Sequence, residues 1–224
     1  MTSAAEQRRR VGALLDTAGQ TYAAEAGIRL RDTPQPLYQL LVLACLLAAR
    51  IRASTAVAAA RELFAAGMRD PRRMLEASRQ QRVDALGRGG YRRYDERTAT
   101  QLGDGARLLL DAYAGDLRNL RGQAHGDTAA VGRLLRQVPG LGPAGVDIFL
   151  REAQAVWPEL VPCLDDKVLQ GAHALGLPED PGRLAALVDQ DDLAALAAGL
   201  VRVSLDRRMA ESLRGHSDAD PAHR

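Results

Sequence analysis

Apolar residues recur along most of this chain at spacings of three and four, and that rhythm predicts helices almost throughout. Residues 4 to 25 carry Val11, Leu14, Leu15 and Ala18 on one face of a first amphipathic helix, and Thr33-Pro34-Gln35-Pro36 then breaks the pattern. A strongly apolar helix is expected over 37–49. The next covers 54–66, with Ser54 or Thr55 as N-cap and Gly67 as C-cap. Short helices near 71–78 and 80–86 lead to the Gly87–Gly90 break, and a long helix is expected from Tyr91 to Tyr113. Residues 116–126 read as a connector with one short turn. Asp127 or Thr128 caps a helix ending near Gln137, and another runs from Pro143 to about Val156, where Trp157-Pro158 stops it. Asp165 or Asp166 caps a helix to Leu175, Asp180-Pro181 opens a short one with Pro at its first position, and a final helix spans 191–213. The tail, 215–224, is polar and expected to be disordered. No alternating strand pattern and no internal repeat appears, so the reading is an all-α chain of about ten helices joined by short loops.

Composition supports this. The chain has 224 residues, enough for one domain or two small lobes. Apolar residues make up 46% and aromatics only 4%, so the core must be built from Leu, Ala and Val. A net charge of +2 does not by itself specify a nucleic-acid partner. The kind of positive charge says more: Lys167 is the single lysine, and every other basic chain is arginine. A GC-rich coding sequence explains the bias, but its consequence stands. Chemistry that needs a lysine amine has one candidate. Cys45 and Cys163 are far apart in apolar settings and cannot supply the four thiolates of an iron–sulfur cluster or an all-cysteine zinc site. His125, His173, His216 and His223 show no metal-ligand spacing. The start resembles no signal peptide, and the longest apolar run, 40–49, is too short to span a bilayer. A soluble, cytoplasmic monomer with no membrane partner is expected.

One segment carries specific chemistry. Val138-Pro139-Gly140-Leu141-Gly142 separates two helices. The glycines open backbone torsions closed to other residues and remove Cβ atoms where another backbone must approach. The second helix starts at Pro143, so its unpaired N–H groups form an anion site at the turn. A DNA phosphate can dock there without any exchange of sequence information. The bare P-G-x-G string also fits a glycine-rich corner of an ordinary helix–turn–helix. The flanks favour the hairpin: Leu134 and Leu135 precede it, and Val146, Ile148 and Phe149 follow.

With Asp165 downstream, this hairpin resembles that of the helix-hairpin-helix base-excision glycosylases, typified by endonuclease III, adenine glycosylase and the alkyl-base glycosylases. The resemblance covers roughly Pro36 to Leu177. It includes Leu40-Leu41-Val42 with Leu46-Leu47-Ala48-Ala49-Arg50, then Val83 to Gly87, Leu135 to Gly142, Trp157-Pro158, and Leu164-Asp165-Asp166-Lys167-Val168. It implies a two-lobed helical fold: a barrel lobe over 34–142, and a second lobe from 1–33 with 143–214. DNA would lie across the cleft, with the target base flipped into it.

The resemblance also assigns residues. Asp165 matches the aspartate that assists cleavage of the N-glycosidic bond, with Asp166 as runner-up; either can also serve as a helix cap. Pro139, Gly140, Leu141, Gly142 and Ala144 match the stretch that holds DNA phosphate. Ala144 stands where bifunctional members place the Schiff-base lysine, which implies a monofunctional hydrolase. Lys167 sits beside the aspartate, as a candidate nucleophile or as a partner for a carboxylate or phosphate. Arg50 matches the wedge position that fills the gap left by a flipped base; it also suits a surface role. Tyr91 and Arg92, in a cluster with Arg88, Arg93 and Tyr94, read as DNA contacts or as a solvated face. The cluster cysteines of endonuclease III are absent here, so no iron–sulfur cluster and no other cofactor is expected; the resemblance suggests a candidate Na+ or K+ at the carbonyls of Arg136, Val138 and Leu141. The expected partner is lesion-bearing double-stranded DNA; the lesion itself stays open. Two alternatives remain: a non-catalytic DNA-binding or damage-sensing protein on this fold, and an abasic-site lyase using Lys167.

Overall fold

A computed structural model describes residues 3–218; side chains are described through 215. No strand occurs among the described residues. The chain forms two compact units, residues 22–159 and residues 1–21 with 160–224. This division lies at other points than the expected 33/34 and 142/143 boundaries, because the second hairpin helix packs within the larger unit. No helix among the described residues is long and apolar enough to cross a membrane.

The smaller unit holds α1 (Ala4–Ala18), α11 (Asp166–Leu175), α12 (Pro181–Ala185), α13 (Leu193–Leu205) and α14 (Arg207–Asp218). Leu196, Ala197 and Leu200 of α13 are fully buried. Two glycines let its neighbours approach closely. A Cβ on Gly171 of α11 would lie 1.9 Å from the Leu200 carbonyl oxygen, and one on Gly199 would lie 3.0 Å from Leu14 of α1. Arg10 closes the unit by donating to the Leu175 carbonyl at 2.8 Å.

The larger unit holds α2 (Tyr22–Glu25), α3 (Pro34–Leu47), α4 (Ala53–Ala65), α5 (Pro71–Glu76), α6 (Arg79–Arg88), α7 (Asp95–Tyr113), α8 (Leu117–Gln123), α9 (Thr128–Leu135) and α10 (Pro143–Ala153). Helix α3 is apolar nearly all round, because it packs against both α4 and α10. Arg82 of α6 is buried, and its guanidinium donates to the carbonyls of Ala99, Met74 and Ala77, each at 2.8 Å. It thereby ties the end of α5 to α7. Trp157 donates its indole N–H to Asp32 at 3.0 Å, and Arg121 joins Asp32 to Glu159 while stacking over the Trp157 ring.

The expected caps at Asp127, Asp165 and Asp180 each accept a main-chain N–H at the start of a helix, and Asp70 and Ser78 do the same for α5 and α6. Five expectations fail. The first helix ends at Ala18 rather than 25, because the buried Glu152 carboxylate accepts the N–H groups of Tyr22 and Ala23 at 2.8 and 3.0 Å and starts α2 separately. The N-cap of α4 is Arg52, not Ser54 or Thr55. Helix α7 begins at Asp95, not Tyr91: the Tyr91 N–H closes the end of α6 on the Leu86 carbonyl, with Gly90 at φ +81° between them. The final helix is split at Asp206, whose carboxylate accepts from Arg208 and Met209 and caps a new helix. Residues 215–218 are helical rather than a disordered tail; 219–224 lie outside the described residues.

Candidate nucleic-acid interface

The hairpin forms between α9 and α10. Leu135, Val138, Leu141, Val146 and Phe149 are buried and pin the turn to the larger unit. The Leu141 N–H donates to the Val138 carbonyl at 3.0 Å. Of the three carbonyls considered for a monovalent ion, that of Val138 is therefore already part of the turn.

The two hairpin glycines have different roles. Gly140 sits at φ +87°, and a Cβ there would lie 3.2 Å from Gln101 Cβ, so the turn itself requires glycine. Gly142 is extended, at φ −73° and ψ −177°, with nothing within 4 Å of the Cβ position. The torsional argument made for both glycines applies only to Gly140. Gly140→Ala is expected to cost about 1–2 kcal/mol. Gly142→Ala should leave stability within about 0.5 kcal/mol. Urea unfolding of the two variants checks the contrast.

Beyond Gly142, the start of α10 is open. Gly142 offers no side-chain cap, Pro143 has no N–H, and the first main-chain bond is Val146 N–H to the Gly142 carbonyl at 3.0 Å. The N–H groups of Ala144 and Gly145 thus stand at the positive end of an 11-residue helix. A groove of about 470 Å³ runs along this end, bounded by Gly140, Gly142, Ala144, Arg50, Arg97 and Tyr94. No aspartate or glutamate lines it. Arg50 is exposed in the turn after α3, and neither it nor Arg97 forms a hydrogen bond or ion pair among the described residues.

Of the candidates in this unit, the groove joins Arg50 with the hairpin backbone. Tyr91 borders it too but is only 1% exposed, and its hydroxyl pairs with Thr98 at 3.2 Å. Burial pushes that phenol's pKa up. Tyr91 is a core residue rather than an exposed platform. Arg92 is exposed and is not among the residues lining the groove. Arg97 and Gln101 escaped the sequence reading. Their signal was helical spacing: they follow Tyr94 by three and seven positions, on one face of α7. Cys45 also borders the groove, and burial pushes its thiol up to about 12, far from a nucleophile's range.

In the smaller unit, Asp165 caps α11. One carboxylate oxygen accepts the N–H groups of Lys167 and Val168 at 2.9 and 3.1 Å, which fixes the carboxylate at the helix start. Asp165 is half-buried and Asp166 exposed. Lys167 donates from Nζ to Gln170 Oε1 at 3.1 Å and forms no ion pair among the described residues. Of the two partners considered for it, a carboxylate is absent there, because the ammonium is turned along its own helix toward Gln170. The described residues contain no group of three or more His, Cys, Asp or Glu suited to a metal ion.

No family model and no curated protein sequence matches the chain. Solved structures do. A trapped endonuclease III–DNA covalent intermediate, in an estranged-adenine complex, superposes with a TM-score of 0.52 at 14% identity, covering 90% of this chain and 85% of that one. A thermostable thymine-DNA glycosylase superposes with a TM-score of 0.53 at 16% identity, covering 90% and 88%. The chain therefore has the all-helical, helix-hairpin-helix fold of these two structures.

Proposed function

We propose that this protein is a monofunctional DNA glycosylase, releasing a damaged or mismatched base from double-stranded DNA by hydrolysis. The observation that carries the reading is the hairpin groove: open N–H groups at the start of α10 share one acid-free groove with the unpaired Arg50 and Arg97. Such a surface suits a phosphodiester backbone. The fold likeness to a DNA-bound endonuclease III and to a thymine-DNA glycosylase supports the same reading.

In this mechanism the hairpin and its arginines hold phosphates and set the register of the duplex. The Asp165 carboxylate stabilises the cationic sugar as the bond from C1′ to the base nitrogen breaks. It also orients a water whose oxygen bonds to C1′; the water's proton leaves to solvent or to the departing base, and the products are a free base and an abasic site. Ala144 offers no amine at the hairpin, so no Schiff base forms there.

The test is a panel of single-lesion duplexes. Strand breaks should appear only after alkali, and borohydride should trap little covalent adduct. A strong adduct lost in Lys167→Ala would convert the reading to a lyase. Tight binding with no base release on any lesion would convert it to a damage sensor. Gly142→Ala should weaken duplex binding several-fold while its unfolding stays unchanged.

A further inference from the structure

Helix α3 has 14 residues, so its two ends lie about 20 Å apart. Its C-terminal end borders the hairpin groove. At its N-terminal end lies a second depression, of about 390 Å³. Its wall carries Arg29, Arg61 and Arg69 together with Gln35 and Gln39, and includes no aspartate or glutamate. The two glutamines are four residues apart on α3 and present their amides on one face.

Two of the guanidiniums are anchored by main chain rather than by carboxylates. Arg61 donates to the Glu25 carbonyl at the end of α2. Arg69 donates from Nε to the Phe64 carbonyl at 2.8 Å, in the last turn of α4. Each spends one N–H of its fork and keeps the rest. Arg29 forms no hydrogen bond or ion pair among the described residues. Finishing helix ends accounts for Arg61 and Arg69. It does not account for Arg29, which lines the same depression as the other two with no aspartate or glutamate in its wall.

We propose that this depression is a phosphate-binding site distinct from the hairpin groove. The donors come from the α2–α3 connection, α3, α4 and the residues just after α4, so they approach from several directions. A tetrahedral phosphate dianion presents oxygens in several directions, whereas a planar carboxylate engages one arginine fork. The group can come from inorganic phosphate or from the 5′-terminal phosphate of a nucleic-acid strand.

Calorimetric titration of the full chain with inorganic phosphate, in a low-salt buffer, tests it. Saturable binding in the millimolar range or tighter is expected. Arg29→Gln removes no internal contact and should weaken binding at least about tenfold. The pair Arg61→Gln with Arg69→Gln should abolish it, with folding checked by circular dichroism. Arg107→Gln, an exposed arginine of α7 that lines neither depression, should leave it unchanged. No saturable heat by about 10 mM phosphate, or unchanged binding in Arg29→Gln, would overturn the proposal. A matched pair of oligonucleotides bearing 5′-phosphate or 5′-hydroxyl identifies the source. A phosphate-dependent gain that disappears in Arg29→Gln assigns a strand end; equal binding of the two assigns free phosphate.

Discussion

Asp165→Asn is expected to lower base release at least about a thousandfold, roughly 4 kcal/mol of transition-state stabilisation, while the protein stays folded. The substitution separates the two roles this residue can serve. As a cap, Asp165 uses one side-chain oxygen to accept the Lys167 and Val168 N–H groups. Asparagine keeps an oxygen of the same reach and caps helices about as well, so the melting temperature should hold within about 2 °C. What asparagine lacks is the negative charge, and that charge is what a cationic sugar needs. Asp165→Ala is the complementary variant: it loses charge and cap together, and should cost about 1 kcal/mol in stability as well. Asp166→Asn is the control. Asp166 is exposed at the first position of α11, so its variant should retain nearly full activity. The measurement is single-turnover base release on whichever duplex the lesion panel identifies. If Asp166→Asn is the inactive variant, the catalytic assignment moves by one residue. If neither variant loses activity, the carboxylate mechanism fails.

Gly171→Ala carries the second large effect, on stability. A Cβ at this position would lie 1.9 Å from the Leu200 carbonyl oxygen, 2.6 Å from the carbonyl carbon and 3.0 Å from Cα. All three atoms are main chain in the middle of α13, so no rotamer change relieves the clash. Helices α11 and α13 must separate, and the fully buried Val168, Ala172 and Leu200 lose their packing. A loss of at least about 4 kcal/mol is expected, enough to leave the smaller unit unfolded or the protein insoluble. Denaturant unfolding checks it. Gly182→Ala is a fair comparison, because its Cβ would meet only the Asp180 side chain, at 3.5 Å. Since α11 also carries Asp165, the contact at Gly171 supports the helix that presents the candidate catalytic carboxylate.

What could be read from the chain was local. The Asp180-Pro181 start, the caps at Asp127 and Asp165 and the hairpin turn each act within a few residues, and each stands where its pattern placed it. What could not be read depended on partners far away in sequence. Nothing near Tyr22 signals that Glu152, 130 residues later, will start a new helix there. Nothing near Arg82 signals a buried guanidinium shared among three carbonyls, since arginine at a helical position reads as surface. Tyr91 misled for a related reason. Its basic neighbours suggested an exposed face, but the glycine turn before it swings the ring into the core. Within the site, the backbone portion was legible because glycine and proline dictate it. Arg50 was singled out through the family resemblance, but Arg97 was not, because twenty-nine side chains of one type in the chain differ only in where the fold leaves them unpaired.

The two hairpin glycines hold different futures for this protein. Drift at Gly140 is checked at once by the cost of the turn. Drift at Gly142 is invisible to folding and is felt only by whatever backbone approaches the start of α10. A lineage can therefore adjust its grip at that position in single steps, from Gly to Ala to Ser, without passing through an unstable intermediate.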